Sequence, residues 1–294
     1  MLQPLKTTAL CFRCGLILSI SSLSLLTGCV FRKLAFSNAN FLLVSQIDSA
    51  FDLTSEQKTF VEQKLERFLS EMSSTEVVAL RELLKEAGIQ IFKKTTEQHV
   101  ASFFDRWDNI QGGAVRRASL PAGEFLMKLS RDQITYFEEF STKRNKKRVE
   151  SLAEGESTFT EKRIQKVSKT FTEWLGKLNN IQINAIRDFS KGEYQRSLEE
   201  QPASQRSKLA FLQLLSSQPG KTQLGEFLAG QQSHPFGKLD PIHVKTKSDR
   251  RKAWTALITQ VVAAATQTQK IHFKKETESL SLDLLLIGSD ENLE

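Results

Sequence analysis

Three times along this chain the same short pattern opens a run of helical periodicity: Leu53-Thr54-Ser55-Glu56-Gln57, Leu129-Ser130-Arg131-Asp132-Gln133 and Leu178-Asn179-Asn180-Ile181-Gln182. The Thr, Ser or Asn can accept a hydrogen bond from one of the orphan backbone N–H groups of a first helical turn. The Gln three positions on can reach back to the capping residue, which closes a capping box. In the second and third copies Leu129 with Ile134 and Leu178 with Ile183 can form the hydrophobic staple. Thr95-x-x-Gln98 and Thr158-x-x-Glu161 read as further boxes without the leading Leu, and Thr266-x-x-Gln269 as a degenerate echo. The copies are unequally spaced, so the chain is not a repeat solenoid.

The segments after these starts are amphipathic. Val61, Leu65, Phe68, Leu69 and Met72 share one helix face, as do Ile164, Val167, Phe171, Trp174, Leu175 and Leu178. Trp254, Leu257, Ile258, Val261, Val262 and Ala265 form a third stripe. No segment alternates as a half-buried strand would. The expected fold is all-α, a multi-helix bundle of roughly eight to eleven helices, with residues 41–288 as a single helical domain. Breaks are expected at Gly112-Gly113, Pro121-Ala122-Gly123, Gly155, Pro202 and Pro219-Gly220. A loop or hinge is expected near residues 230–247, where Pro235, Gly237 and Pro241 fall close together. Residues 289–294 read as a short, acidic, frayed tail.

The N-terminus carries an address. Lys6 and Arg13 precede an apolar stretch from Leu16 to Leu26, too short for the ~20 residues of a spanning helix. It closes on Leu26-Thr27-Gly28-Cys29, which resembles the lipobox of bacterial lipoproteins. The resemblance implies that residues 1–28 are a signal peptide, removed in the mature protein, and that Cys29 is the lipidation site, with a diacylglyceryl thioether and an N-acyl group (palmitate among the acyl chains). Residues 29–40 then form a lipidated N-terminus and short lead-in. Two or more acyl chains hold a protein durably at a bilayer where one does not. Val30 rather than Asp after the cysteine favours the periplasmic face of the outer membrane over the inner membrane.

Cysteine usage agrees with this address. Cys11 and Cys14 lie in the segment to be removed and Cys29 is consumed, so the mature body keeps no free thiol. A disulfide framework, a cysteine metal site and a cysteine nucleophile are excluded by count. A chain of this length can bury ~75% of its unfolded surface and stand on an apolar core alone. The formal charge of +7 includes Lys6 and Arg13, with no acid before Cys29, so the mature body carries +5. That excess suits contact with anionic head groups within a Debye length of ~8–10 Å. It lacks the dense basic stripe with interleaved aromatics of a nucleic-acid binder, and no nucleic-acid partner is expected.

The order of short motifs resembles a family of all-helical bacterial lipoproteins known only as a domain of unknown function. Arg32-Lys33-Leu34-Ala35-Phe36-Ser37-Asn38-Ala39-Asn40 comes after the cysteine, then Asp48-Ser49-Ala50-Phe51-Asp52-Leu53-Thr54-Ser55-Glu56-Gln57, then Lys143-Arg144-Asn145. Phe36, Asn40 and Ser55 depart from the family's usual Tyr, Asp and Pro. The resemblance implies no activity. Leu-Thr-x-x-Gln also resembles the motif of small periplasmic chaperones of the Spy and CpxP type, which implies a chaperone-like accessory for exported proteins as the alternative to a non-enzymatic binding or scaffold module.

Chemistry-bearing constellations are few. Lys143, Arg144, Lys146, Lys147 and Arg148 form the densest charge. Such a run is either a solvated face offset by Glu138, Glu139 and Glu150, or a docking site for anionic lipid, lipopolysaccharide or an acidic partner. Lys245, Lys247, Arg250, Arg251 and Lys252 form a second basic patch with the same two readings. His99, His234, His243 and His272 are too scattered for a ligand pair, the nearest group being His234, Asp240 and His243. No nucleophile elbow, phosphate loop or dinucleotide fingerprint is present. Adjacent acids such as Glu138-Glu139 and Glu199-Glu200 point to different sides of a helix and suit shared acid–base work poorly. No enzyme activity, cofactor or metal is expected. Asn38, Asp48 and Asp52 read as caps or buried partners near the anchor, Asn38 fixing the first helix and Asp52 extending the helix start just after it.

Overall fold

The computed structural model describes residues 29–233 and 241–287, apart from the side chains of residues 29–31, 231–233 and 241–243. The expected signal peptide and the expected tail over 289–294 lie outside these residues. Eleven α-helices and one 3-10 turn, with no strand, make up the described chain. They are α1 (Cys29–Ser37), α2 (Ala39–Phe51), α3 (Ser55–Ser73), α4 (Glu76–Gln90), α5 (Glu97–Leu126) and α6 (Arg131–Ala153). Next come α7 (Glu156–Leu175), α8 (Asn180–Ser216), α9 (Lys221–Ser233), α10 (Pro241–Ala263), α11 (Gln267–Asp283) and the turn Leu284–Leu286. The expected all-α bundle is what forms.

The three Leu-led boxes open α3, α6 and α8, each with both reciprocal hydrogen bonds of a capping box. The degenerate echo at Thr266 is a complete fourth box, opening α11. Two other starts differ from expectation. Thr96 rather than Thr95 caps α5, accepting from the His99 N–H at 3.2 Å. Thr158 lies inside α7, because Gly155 takes a φ of +89° and starts that helix earlier.

The boxes also meet in pairs. Gln57 and Gln133 exchange amide hydrogen bonds of 3.0 and 2.6 Å, and Gln182 and Gln269 exchange bonds of 3.1 and 2.9 Å. Each pair fastens two helix N-termini back to back, α3 to α6 and α8 to α11. In both cases two helices intervene in the chain.

Three expected breaks are bridged. Helix α5 runs through Gly112-Gly113 and Pro121, and α8 runs through Pro202. An interior proline costs ~3 kcal/mol by deleting one helical hydrogen bond. Here buried residues on both sides hold the axis: Ala114, Val115, Phe125 and Leu126 on α5, and Ile186, Phe189, Ala203, Phe211 and Leu215 on α8. Gly155 and Pro219-Gly220 do separate helices. Both ends of the span 230–247 expected as a loop are helical, because α9 continues to Ser233 and Pro241 occupies the first position of α10, where its missing N–H is no loss. The stretch between them is outside the described residues.

The apolar stripes form two cores. The first gathers Phe36, Leu43, Val61, Leu65, Phe68, Leu69 and Met72 with Phe125, Phe137, Phe211, Leu224 and Leu284. Phe137 stacks on Phe51 at 4.7 Å and meets the edge of Phe211 at 5.7 Å. The second gathers Val167, Leu175, Ala185, Ile186, Phe189, Leu257 and Val261 from α7, α8 and α10. Trp174 packs against both. Helix α8, about 55 Å long at 1.5 Å per residue, supplies Ile186 and Phe189 to the second core and Phe211, Leu212 and Leu215 to the first. The stretch of α8 between the two cores carries charge.

Candidate docking face

Glu193 and Glu200 lie on that stretch of α8, two turns apart and both buried. An α-helix repeats its face over this spacing, so both carboxylates point the same way. Four arginines from four helices close on them. Arg196, one turn along, donates Nε to Glu193 at 2.7 Å, and Arg163 of α7 donates to it at 3.0 Å. Arg148 of α6 and Arg250 of α10 both donate to Oε2 of Glu200, at 3.1 and 2.6 Å. Arg250 Nε also lies 3.7 Å from Glu193.

Aromatic rings floor the cluster. Phe189 and Trp254 pack at 4.6 Å, and the Arg163 guanidinium lies over both rings, 5.8 Å from the first and 5.7 Å from the second. Burial pulls the Arg163 guanidinium below the usual arginine range against the pull of Glu193, and the charges of Arg250 and Arg196 add to the lowering. Burial, then the charge of Arg163, also lowers the Lys166 ammonium. Guanidinium groups do not give up protons, and both carboxylates are engaged as acceptors. The arrangement therefore offers charge and rigidity rather than proton transfer.

The two basic segments that were separate in sequence converge here. Arg148 turns inward to Glu200 rather than outward, so it does not belong to an exposed docking run. Lys143, Arg144, Lys146 and Lys147 stay exposed on α6. Arg250 turns inward likewise. Arg251 ties α10 to α5 through Asp105 at 2.6 Å and through Asp108. Lys245, Lys247 and Lys252 remain exposed.

Pairings along α8 fix how these helices run. Tyr194 reaches Leu152 O, Arg148 reaches Glu200, and Lys208 reaches Thr142, so α6 is antiparallel to α8. Gln182 reaches Val261 O, Phe189 meets Trp254, and Glu200 meets Arg250, so α10 is antiparallel as well. Helices α6 and α10 are therefore parallel to each other. Their exposed lysines, Lys252 apart, are on the N-terminal side of the junction in both and lie toward the same end, where α8 adds exposed Arg206 and half-exposed Lys208. Exposed cations of three helices thus lie toward one end of α8, with exposed Glu138, Glu139 and Glu199 on the same helices.

The remaining sequence candidates separate. His234 and Asp240 lie outside the described residues, as does the side chain of His243. His99 packs on Phe103 and His272 lies 3.2 Å from Glu173 O, on different helices. Among the described residues no group of three or more His, Cys, Asp or Glu is placed to hold a metal ion, and no helix is long and apolar enough to cross a membrane. Asn38 is exposed and bonds back to Leu34 O at 2.8 Å instead of fixing α1 to the body. Asp48 accepts from Leu53 N at 2.9 Å and pairs with Lys58 at 2.9 Å across the α2–α3 turn. Asp52 caps α2 at a φ of 51°, and its carbonyl accepts from Gln133 at 2.9 Å.

Glu193, Arg163 and Arg196 were not singled out from sequence, and Glu200 was named only in an adjacent pair poorly suited to acid–base work. Their signal is an acid in the register of an apolar stripe: Ile186, Glu193, Glu200 and Ser207 recur at seven-residue spacing on α8. The profile of one family of unknown function, DUF6279, matches residues 49–234. No curated protein and no solved structure matches the chain.

Proposed function

Since the chain belongs to the family of unknown function DUF6279, its role has to come from its own residues, and we propose that it is a lipid-anchored, non-enzymatic helical scaffold of the cell envelope. In this reading Cys29 carries the lipid, the body stands at the periplasmic face of the outer membrane, and the exposed cations of α6, α8 and α10 act together as one composite basic face that docks an anionic envelope component. The observation that supports it most is the convergence of Arg148 and Arg250 on Glu200. Rigid inner arginines hold α6, α8 and α10 in register, which keeps their outward lysines together as a preorganised surface. Charge on such a surface sets association rate and partner choice more than affinity.

A quartet of charge reversals on exposed residues, Lys143→Glu, Lys147→Glu, Lys245→Glu and Lys247→Glu, tests the docking face. Binding of the unlipidated body to lipopolysaccharide or phosphatidylglycerol vesicles should weaken severalfold and lose most of its salt dependence. Unchanged binding and salt response would remove the docking role. The chaperone alternative rests on the Leu-Thr-x-x-Gln motif, whose Thr and Gln are occupied here by capping and pairing. Suppression of client aggregation at stoichiometric amounts would favour it.

A further inference from the structure

Helix α1 is described from Cys29 onward, and Arg32, three residues on, is buried against the body. Its guanidinium donates to Asp283 at 3.1 Å, to Glu276 at 3.1 Å and to the Ser279 hydroxyl at 2.9 Å, all on α11. Ala35, Phe36 and Ala39 are buried beside it. A charge held by three partners away from water is expensive to disengage. The residue read as the lipid attachment point therefore sits one helical turn from a fixed clamp, with no linker between.

Large apolar side chains are exposed on the elements that meet at or adjoin that clamp. Leu34 is 56% exposed and Phe41 71%, seven residues apart on α1 and α2. Leu282 is 63% and Leu285 50% exposed, on either side of the buried Asp283–Leu284 step that meets α1. Lys33 is exposed next to Leu34. Apolar residues exposed singly need no explanation, but four flanking one anchored helix do.

We infer that the body lies flat on its membrane, with Leu34, Phe41, Leu282 and Leu285 seated in the head-group and acyl boundary of the bilayer that holds the lipid. This rests on the reading of Cys29 as the lipidated residue. The tether favours a bilayer over a protein partner: Leu34 is only about 8 Å of helix rise from Cys29, so a lipid on that cysteine holds the bilayer within reach of the side chain. A bilayer tethered that close is present at very high effective concentration. The Arg32 clamp then converts a flexible lipid leash into a fixed orientation, which a body on a long linker would not have.

The cysteine count makes the test direct, because in this reading the mature lipidated protein, without Cys11 and Cys14, has no free thiol to label. Single substitutions Leu34→Cys, Phe41→Cys, Leu282→Cys and Leu285→Cys, with Ile181→Cys and Met127→Cys as exposed controls away from both the clamp and the basic face, would each carry an environment-sensitive fluorophore. The proteins would be reconstituted in phosphatidylethanolamine–phosphatidylglycerol vesicles containing spin-labelled quencher lipids. The four sites should show a blue shift and a severalfold loss of emission, and the controls should show neither. Equal quenching at all six, or quenching at none, overturns the orientation. Palmitate incorporation in the same preparations reads the anchor separately, and fluorophore on the parent chain would report an unlipidated Cys29. Absent incorporation sinks the anchor and the orientation together, whereas incorporation without selective quenching sinks the orientation alone.

Discussion

Gln182 and Gln269 hold each other by both amides: each donates to the other's Oε1, and each Oε1 also accepts from the backbone N–H of its own helix cap. The remaining N–H of Gln182 goes to Val261 O at 3.0 Å and that of Gln269 to Lys177 O at 2.8 Å. Every donor and both lone pairs of each amide are thereby used. Gln57 and Gln133 repeat the arrangement, donating to Lys128 O and Asp52 O. Three of the four glutamines reach the carbonyl two residues before the opposing cap. The fourth such carbonyl, Ala264 O, is taken by the Asn179 side chain at 2.8 Å, which Ser or Thr could not reach with an amide N–H. The two pairs are a local pseudo-two-fold device used twice.

Removing one glutamine strands buried groups on its partner. Gln182→Ala should cost about 3 kcal/mol, since each unsatisfied buried polar group costs ~1–3 kcal/mol. The half-exposed Gln57→Ala should cost less, because water can replace the lost bonds. Urea unfolding midpoints check the ranking, and a Gln182→Ala, Gln269→Ala double variant should lose less than the sum of its parts. A Gln57→Ala loss equal to that of Gln182→Ala would contradict the burial argument.

Glu200→Gln leaves Arg148 and Arg250 facing a neutral amide in a buried setting. Breaking such a cluster costs about 3–5 kcal/mol. Lys146→Ala breaks only the exposed pair with Glu150 at 3.9 Å, for which ~0.5 kcal/mol is the scale. Thermal unfolding should separate the two variants clearly; similar midpoints would mean that the buried cluster contributes little.

Glycines at two crossings should respond with opposite sign. A Cβ on Gly123 would lie 2.5 Å from Lys221 O and 3.2 Å from Gly225 N, both backbone atoms of α9. Gly123→Ala must push α5 off α9 and should cost about 1–3 kcal/mol. On Gly113 the nearest atom is Glu76 Oε1 at 2.8 Å, the end of a flexible side chain. Gly113→Ala should be neutral or gain up to ~1 kcal/mol from helix propensity. Equilibrium unfolding of the two variants checks the signs.

Asp48 couples the α2–α3 turn to pH. The hydrogen bond from Lys58 holds its carboxyl below the usual aspartate range, helped by Leu53 N–H and opposed by burial. A depressed carboxylate stabilises the fold above its unfolded value and loses that contribution as pH falls through its folded value. Asp48→Asn should therefore lower the melting temperature near neutral pH and match the parent chain in acid below the ordinary aspartate range. A difference that persists unchanged into acid would assign the effect to shape rather than charge.

Helix starts and apolar faces were legible because they depend on neighbours within one or two turns. Thr54, Ser130, Asn179 and even the weak Thr266 box all cap, and the Val61–Met72 stripe is buried as its spacing dictates. Pro121 and Pro202 were misleading because local cost is only part of the balance, and burial on α5 and α8 outweighs it. The family resemblance was carried by Arg32, Asp48 and Asp52 as letters, while their work as clamp, turn tie and left-handed cap is spatial.

By itself the sequence determined the all-α class, most of the helix starts and the two basic segments, since propensity, capping and charge are local properties. Only the tertiary structure decided that Gln182 meets Gln269, that Arg148 and Arg250 share Glu200, and that Arg32 locks α1 to α11. Those contacts join residues far apart in the chain. They exist because helix packing brings buried polar groups within reach of partners that burial then obliges them to keep.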